Sequence, residues 1–299
     1  MINTGAIANL LRPGLRSVFG ESPAYPPQYS QIFKTHNSQK DFETDIEMKM
    51  LGLATVRGEG APTELDSMGQ RFQTNYYHKT ISIGFQITKN AIADNLYKAQ
   101  FPQQARSLKR SMEQTKEILA ASVLNNGFET NFPLGDGQPL LSTQHPIDTG
   151  VVANCPSVPA DLNEASLESA IIAIQQFKDQ AGLIQMTKPR KLVVPPQLQF
   201  VAEVLLKSQY SPATSNNAIN PIVSMSVLPE GYTVNQFLTN AKAWFVLTDA
   251  DNGMKHFERQ PYETDMFTDF LTDNVMAKAT ERYSFGCSNF RAIYGSKGI

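Results

Sequence analysis

The sequence predicts an α+β protein that combines one unusually long helix with a strand-rich carboxyl-terminal third. Apolar or small residues recur every three or four positions from Phe101 to Val123, which indicates one face of a helix. Apolar and polar residues alternate between Tyr77 and Ile87, which is the pattern of a strand. Residues 255–294 are mostly strand-like as well. Helix and strands therefore occupy separate parts of the chain, as in α+β folds.

The composition excludes several classes of protein. The 299 residues include 26 Lys and Arg against 28 Asp and Glu, a formal net charge of −2, whereas dedicated nucleic-acid binders are normally strongly basic. No apolar run approaches the roughly 20 residues that span a bilayer. The two cysteines, Cys155 and Cys287, suggest neither a disulfide framework nor a zinc site, and they fit a reducing compartment.

The first 87 residues are predicted to form an arm and a hairpin that are both stable only when they pack on another surface. Residues 1–45 are expected to form an extended arm, because prolines and glycines interrupt any long helix. Its scattered apolar residues need a partner surface, and a short helix is expected from Thr4 to about Leu11. Residues 46–87 are predicted to form a long β-hairpin with a polar, glycine-rich tip. A lone hairpin is marginally stable, so this one must lie on something.

A long helix and an α/β region are expected to follow. The helix is predicted from Lys98 to Leu124, about 40 Å in length, and Asn125 and the two residues after it should end it. Asp161 with Glu164 resembles a capping box at the start of another helix. The remaining predicted elements are a strand in KLVVPP, a helix from Pro196 to Lys207, and strands at Ile222–Leu228, Thr233–Val234 and Ala243–Leu247.

A search for catalytic and ligand-binding motifs finds none of the familiar ones, including G-x-G-x-x-G, the P-loop, H-E-x-x-H, C-x-x-C and G-x-S-x-G. DADNG at Asp249–Gly253 starts like a calcium loop, but Gln260 stands where Glu is needed, so a turn is favoured. His145 is interpreted as a turn residue with a backbone hydrogen bond. A nucleophilic pair of Cys155 and His145 is disfavoured, because nothing supplies an oxyanion hole. We expect no enzyme, no cofactor and no metal.

The long helix is locally basic, and this feature has two interpretations. The favoured one is a solvated helix face with pairs four residues apart, which involve Glu113 and Glu117. The other is weak contact with a polyanion. The four cations concerned are Arg106, Lys109, Arg110 and Lys116.

Five segments follow one another in an order that is typical of one protein family. They are GLATVRGEGAP, IGFQITKNAIADNLY, PLGDGQPLLSTQHP, KPRKLVVPPQLQFVAEVLL and FRAIYGSKG. In turn they resemble an extended loop, the strand that runs into a spine helix, a G-D-G-x-P-L…H-P segment, an axial-domain strand and helix, and a closing strand. In this order they resemble the major capsid proteins of tailed bacteriophages, which have the Hong Kong 97-like fold, and are nearest to Mu-like major head subunits.

The resemblance implies a division of the chain into parts. These are an N-terminal arm (1–45), an extended loop that is a β-hairpin (46–87), a peripheral domain with the spine helix (88–139), an axial domain (140–248), peripheral-domain strands (249–284) and a C-terminal strand that returns to the axial domain (285–299).

The resemblance also implies a function. The protein would self-assemble as hexamers and pentamers into an icosahedral shell around double-stranded phage DNA, within the host bacterial cytoplasm and then as part of the virion. Expected partners are further copies of itself, a portal protein, a separate scaffolding protein, a decoration protein, and packaged DNA in weak and non-specific contact. No membrane partner is expected.

Three groups of residues are implied as contact sites. The extended loop would contact neighbouring subunits through Arg57, Glu59, Glu64 and Asp66. A polar loop at the capsomer centre would place neutral amides around the symmetry axis, where like charges would repel, through Asn216, Asn217 and Asn220. The inner surface would contact DNA through Arg12, Arg16, Arg106 and Arg110.

Two alternatives remain open at this point. An encapsulin-type nanocompartment shell shares the fold but encloses enzymes, and DNA in purified particles would distinguish it from a phage head. An α+β enzyme with an unrecognised site would instead form small discrete oligomers.

The extended loop predicts non-covalent shells. Some relatives join subunits through a Lys–Asn isopeptide bond from this loop, but no lysine lies between Met50 and His78, and arginine is not a nucleophile. Particles boiled in denaturant should therefore migrate at the single-chain mass of 33.1 kDa on electrophoresis. A ladder of covalent multimers without added oxidant would contradict this prediction.

Overall fold

The computed structural model of the protein describes residues 26–94, 97–210, 219–269 and 271–299. The helix expected at Thr4 to Leu11 lies outside the described residues. So do four of the residues named above as contact sites, which are Arg12, Arg16, Asn216 and Asn217.

The described residues form twelve strands and five α-helices. In chain order these are β1 (Lys34–Asn37), β2 (Phe42–Lys49), β3 (Gly69–Tyr77), β4 (Lys79–Ile87), α1 (Lys89–Ala93), α2 (Tyr97–Asn125), β5 (His145–Ile147), β6 (Gly150–Val152), α3 (Glu164–Gln175), β7 (Pro189–Val194), α4 (Gln199–Lys207), α5 (Pro221–Ser224), β8 (Tyr232–Val234), β9 (Trp244–Thr248), β10 (Met254–Thr268), β11 (Val275–Cys287) and β12 (Ile293–Ser296). Short 3-10 turns occur at Tyr29–Gln31, Pro196–Leu198 and Phe290–Ala292.

Two four-stranded sheets organise these elements. The first sheet has the order β1-β10-β11-β4, and its long antiparallel pair runs from Met254 opposite Cys287 to Thr268 opposite Val275. The second sheet has the order β12-β9-β7-β8. Two-stranded ribbons, β2-β3 and β5-β6, stand beside them. The chain combines helices with mainly antiparallel sheets, so the predicted α+β class is confirmed.

The second sheet is buried on both faces. Val193 and Phe245 lie in one apolar cluster with Leu124 from the end of α2. Leu192 and Trp244 lie on the opposite face, in a cluster that also holds buried side chains of α3 and α4. Because both faces are covered, Leu192–Val194 of β7 and Trp244–Leu247 of β9 are apolar runs without alternation, which explains why the sequence predicts both strands.

The spine helix α2 connects the two sheets. Its observed span, Tyr97–Asn125, confirms the predicted long helix to within one residue at each end. Phe101 and Met112 pack with Val275 in the core of the first sheet. Ala120 and Leu124 lie farther along and belong to the core of the second sheet. One helix thus contributes to two cores.

The hairpin is present, but its second strand differs from the one predicted. β2 pairs antiparallel with β3, from Phe42 opposite Tyr77 to Lys49 opposite Gly69. The next strand, β4, pairs with β11 in the first sheet. The chain changes sheets at His78, whose ring nitrogens lie 3.0 Å and 3.1 Å from the hydroxyls of Ser284 and Ser38. Alternation continues through this residue, so the sequence predicted one strand where two exist.

Two predicted local structures are wrong. The strand expected at Ile222–Leu228 begins instead as helix α5, with Pro221 in its first turn and Asn220 as its cap. An Asn-Pro pair is a helix-start signal, which the apolar run obscured. Helix α3 is capped by Asn163, which forms a capping box with Ser166, so the cap expected at Asp161 is also wrong.

The middle of α2 carries a buried ion pair in place of the expected solvated face. The pair between Lys109 and Glu113 exists, with Nζ and Oε1 4.0 Å apart. Lys116, however, is only 8% exposed, and its ammonium lies 2.6 Å from Glu281 on β11. Burial raises the pKa of Glu281, whereas Lys116 acts in the opposite direction. The interpretation of Lys116 as a surface cation is therefore wrong.

Glu117 ties the first described segment of the chain to the helix. Its carboxylate accepts the backbone N–H groups of Gln28 and Tyr29 at 2.7 Å and 3.0 Å. The Tyr29 ring packs edge-on against His256 and Phe285 of the first sheet. A charged residue expected to lie in solvent thus anchors the first described residues to the helix.

We predict that Lys116→Met lowers the free energy of unfolding by about 3 kcal/mol, because it leaves the Glu281 carboxylate buried without its cation. The matched control is Lys207→Met, which breaks a solvent-exposed pair with Glu203 and should leave the free energy of unfolding almost unchanged. Equilibrium denaturation measures both values. Equal losses in the two variants would show that the buried pair has no special role.

Candidate assembly surfaces

The β2-β3 hairpin has an apolar face that points away from the body. Phe42, Ile46 and Met48 alternate along β2 and are 45%, 41% and 44% exposed. Tyr77 on β3 is opposite Phe42, and their ring centroids are 5.8 Å apart. A strand on a protein surface normally turns its apolar side inwards, so this face is inverted. Among the described residues, nothing in the chain covers it.

The opposite face of β2 is charged and points towards the body. Asp45 lies 2.6 Å from Lys255 of β10, and Glu47 lies 2.7 Å from Arg291. Lys49 lies 3.0 Å from Asp148, which joins β5 to β6. On β3, Arg71 lies 2.7 Å from the same Asp148 carboxylate. These contacts determine which face of the hairpin is turned inwards.

The loop beyond the hairpin strands, residues 50–68, continues the apolar face to its tip. It contains no regular strand or helix, and a turn at Glu59 and Gly60 reverses the chain. Its six large apolar side chains are all more than half exposed, and Val56 is fully exposed. They are Met50, Leu51, Leu53, Val56, Leu65 and Met68. So many uncovered apolar side chains in one segment mark an interaction surface.

The predicted contact residues of this loop have different roles in the structure. Asp66 accepts the backbone N–H groups of Gly52 and Ser67, both at 2.8 Å, which lowers the pKa of its carboxyl. It therefore closes the neck of the loop. Arg57 donates to the Thr63 hydroxyl at 2.9 Å across the tip.

The other two residues of that group, Glu59 and Glu64, are exposed at the tip. Contact of Arg57, Glu59, Glu64 and Asp66 with a neighbouring subunit stays a prediction.

The G-D-G segment forms a seat for the hairpin, made by the turn from Pro133 to Pro139. An added Cβ on Gly135 would lie 2.5 Å from the Gln73 carbonyl oxygen and 2.7 Å from the Thr74 hydroxyl on β3. Only glycine permits this approach of the turn to the hairpin. The sequence shows the glycine, but the contact that requires it is formed by a strand 60 residues earlier in the chain.

His145 holds this seat in place through side-chain contacts, so its interpretation as a turn residue with a backbone hydrogen bond is wrong. It is fully buried, with Nδ1 2.6 Å from an Asp136 oxygen and Nε2 3.2 Å from Asn154 Oδ1. Its ring stacks on Phe290, with centroids 3.9 Å apart. Burial raises the pKa of Cys155 to about 11, which keeps this thiol protonated at neutral pH. Both observations argue against a nucleophilic pair.

Arg106 and Arg110 lie one turn apart on α2 and are exposed. They line a cleft of about 2780 Å³ between the spine helix, the first sheet and the second sheet. The cleft is also lined by carboxylates, including those of Glu113 and Glu263, so it has no uniform charge. Contact of the two arginines with DNA stays a prediction.

Asn220 differs from the exposed amide that the capsomer-centre loop implied. It is 1% exposed, and its Oδ1 accepts the Ile222 N–H at 3.0 Å. Its amide nitrogen donates to the carbonyls of Leu205 and Ser208 at 2.8 Å and 3.1 Å. Asn220 therefore closes the base of the loop, whereas the position of that loop at a capsomer axis stays a prediction.

The described part of the chain contains neither a metal site nor a membrane-spanning helix. No group of three or more His, Cys, Asp and Glu side chains there could hold a metal ion. No helix there has the length and apolar character needed to cross a membrane.

Comparison with known proteins connects this architecture to a family. Residues 71–296 match the family model described as phage capsid protein. The chain belongs to the phage capsid protein family. This match covers more than half of the chain and includes the seat, the spine helix, the whole second sheet and every strand of the first sheet except β1. No curated protein matches the sequence.

Solved structures agree with this capsid family in fold. The capsid of Myoviridae phage XM1 has a TM-score of 0.52 and 12% identity, over 93% of this chain and 94% of that one. The structure from Microbacterium phage Oxtober96 has a TM-score of 0.55 and 11% identity, over 93% of each chain. A virus-like particle from Pyrococcus furiosus has a TM-score of 0.54 and 11% identity, over 96% and 98%. The Hong Kong 97-like capsid fold predicted from the sequence is confirmed.

We predict that Gly135→Ala displaces the hairpin from its seat and lowers the free energy of unfolding by roughly 1–3 kcal/mol, because backbone on both sides must move. Gly69→Ala is the matched control, since an added Cβ there meets nothing within 4 Å. Denaturation curves measure the difference. If Gly135→Ala is no less stable than Gly69→Ala, the seat does not constrain the hairpin.

Proposed function

We propose that this capsid protein is the major head subunit of a tailed phage. It assembles as hexamers and pentamers into an icosahedral shell that encloses double-stranded phage DNA. The family match and the capsid fold support the structural role. Assembly takes place in the host bacterial cytoplasm, and the mature location is the virion.

The exposed apolar surface of the hairpin and loop is the observation that carries this proposal. Leu53, Val56 and Leu65 are 80%, 103% and 93% exposed, and the described part of the chain does not cover them. Burying apolar area is worth roughly 25 cal/mol per Å², so such a surface favours association strongly. In a shell, every subunit would both present its loop to a neighbour and receive the loop of another. The free energy gained from burying apolar area would therefore recur at each contact.

The other parts of the proposal follow from the structural role. The protein is not an enzyme, and it contacts packaged DNA weakly through phosphate attraction, with Arg106 and Arg110 as the described candidates. A portal protein, a separate scaffolding protein and a decoration protein are proposed partners. These partnerships rest on the family resemblance alone.

A second candidate function is an encapsulin-type shell that encloses enzymes. This candidate is supported by the similarity to the virus-like particle from Pyrococcus furiosus. The similarity extends over almost the whole of both chains. Negative-stain microscopy of the purified protein, with analysis of the particle contents, distinguishes the two candidates. Closed shells that hold nuclease-protected DNA after infection support a phage head, and shells that hold a defined protein cargo support a nanocompartment. Small discrete oligomers would contradict both.

We predict that the triple variant Leu53→Ser, Val56→Ser and Leu65→Ser folds normally but forms few or no closed shells, because the loop no longer gains from burial. Thr55→Ala, in the same loop, should assemble like the unsubstituted chain. Particle counts by microscopy measure assembly, and circular dichroism checks folding. Normal shells from the triple variant would show that the loop is not an assembly surface.

A further inference from the structure

A row of charged residues runs along the inner face of β2. Asp45, Glu47 and Lys49 follow one another at a spacing of two, and each pairs with a different part of the body. Lys255 belongs to the first sheet, whereas Arg291 precedes the last strand of the second. The row therefore joins one strand to both sheets.

Apolar packing, by contrast, holds the hairpin only at its base. Tyr76 is 4% exposed and packs on Phe257, with ring centroids 4.9 Å apart. Its hydroxyl contacts Ser288, which in turn donates to Asp45 at 2.5 Å. None of the three apolar core clusters of the described residues includes a side chain from β2 or β3. Beyond the base, the contacts are the ion pairs and the close approach of Gly135 to Gln73 and Thr74 of β3.

We propose that this row is an electrostatic latch, in which the hairpin docks on the body through Asp45, Glu47 and Lys49 and swings about Tyr76 and His78 when these pairs are lost. The strand pair itself stays intact during the swing, because its cross-strand hydrogen bonds do not involve the body. The residues at the base absorb the rotation, as at other hinges.

The physical basis is the difference between ionic and apolar contacts. The latch pairs differ in burial, because the side chain of Arg291 is 3% exposed and that of Lys49 is 33% exposed. Salt weakens the more exposed pairs of Lys49 and Arg71 with Asp148 most, whereas it does not weaken apolar packing. Removing the carboxylates of Asp45 and Glu47 leaves Lys255 and Arg291 largely buried without their partners, so these two substitutions release the hairpin without changing the apolar cores.

The latch concerns contacts within one subunit, so it stands independently of the proposed shell. Its consequence is control over the direction in which the apolar face and the loop point. A docked hairpin holds Phe42, Ile46 and Met48 at one fixed angle to the body. A released hairpin presents the same apolar surface over a range of angles.

The test measures the distance between spin labels on the hairpin and on the body. The labels are attached at Gln70→Cys on β3 and at Ile172→Cys on α3, both exposed positions. Burial raises the pKa of Cys155 to about 11 and that of Cys287 to about 12, so the native thiols compete poorly for the label. Labelled chain is diluted into an excess of unlabelled chain, so that distances within one subunit dominate.

We expect one narrow distance distribution at low salt. The double variant Asp45→Asn and Glu47→Gln, or about 1 M salt with the unsubstituted row, should add a second population, with the undocked fraction raised at least about fivefold. The control is Asp273→Asn, which breaks an exposed pair with Lys89 away from the hairpin and should leave the distribution unchanged.

An unchanged distribution in the double variant and in high salt would overturn the latch, as would an equal change in Asp273→Asn. If circular dichroism shows that the double variant does not fold, the latch is tested by comparing the distance distributions of the unsubstituted row at low and high salt. Particle counts by microscopy on the same samples measure shell assembly independently of the latch. A chain that forms no shells, but whose hairpin undocks in high salt, would support the latch and contradict only the proposed function.

Discussion

The packing of the spine helix against two separate sheets is the constraint on which the rest of the structure depends. Its first half covers the first sheet through Phe101 and Met112, and its last turns complete the core of the second through Leu124. Where it passes from one to the other, Lys116 and Glu117 are buried and paired. These charges bind β11 on one side and the backbone of Gln28 and Tyr29 on the other, so they position the helix relative to both.

The charges of the hairpin have a different effect from those of the spine helix, because they turn an apolar face outwards. The ion pairs of the hairpin face the body, and its apolar residues face away from it. A large apolar surface is therefore exposed beside the two sheet cores, which are themselves well buried. Gly135 and His145 support the same arrangement from below, because they place a tight turn against the hairpin backbone. The apolar face of the hairpin is thus left uncovered by the described part of the chain, as the proposed shell-forming function requires.

Much of the fold could be predicted because it depends on local pattern. The spine helix follows from apolar spacing, and strands β7 and β9 follow from continuous apolar runs. The errors occurred where local signals competed or where pairing was decided at a distance. Asn220 and Pro221 start a helix inside an apolar run, and at His78 one alternating pattern serves two sheets. No local feature marks that change of partner.

The sequence by itself determined the fold class, the family and the presence of an exposed loop, because periodicity, composition and motif order are properties of the chain. Tertiary structure alone decided which charges are buried and which apolar residues are left uncovered. Lys116 resembles any surface lysine until β11 places Glu281 beside it, and Glu47 resembles any surface carboxylate until Arg291 pairs with it. Partners more than 160 residues apart set these roles, and the energy of a charge depends on its surroundings in space rather than on its neighbours in sequence.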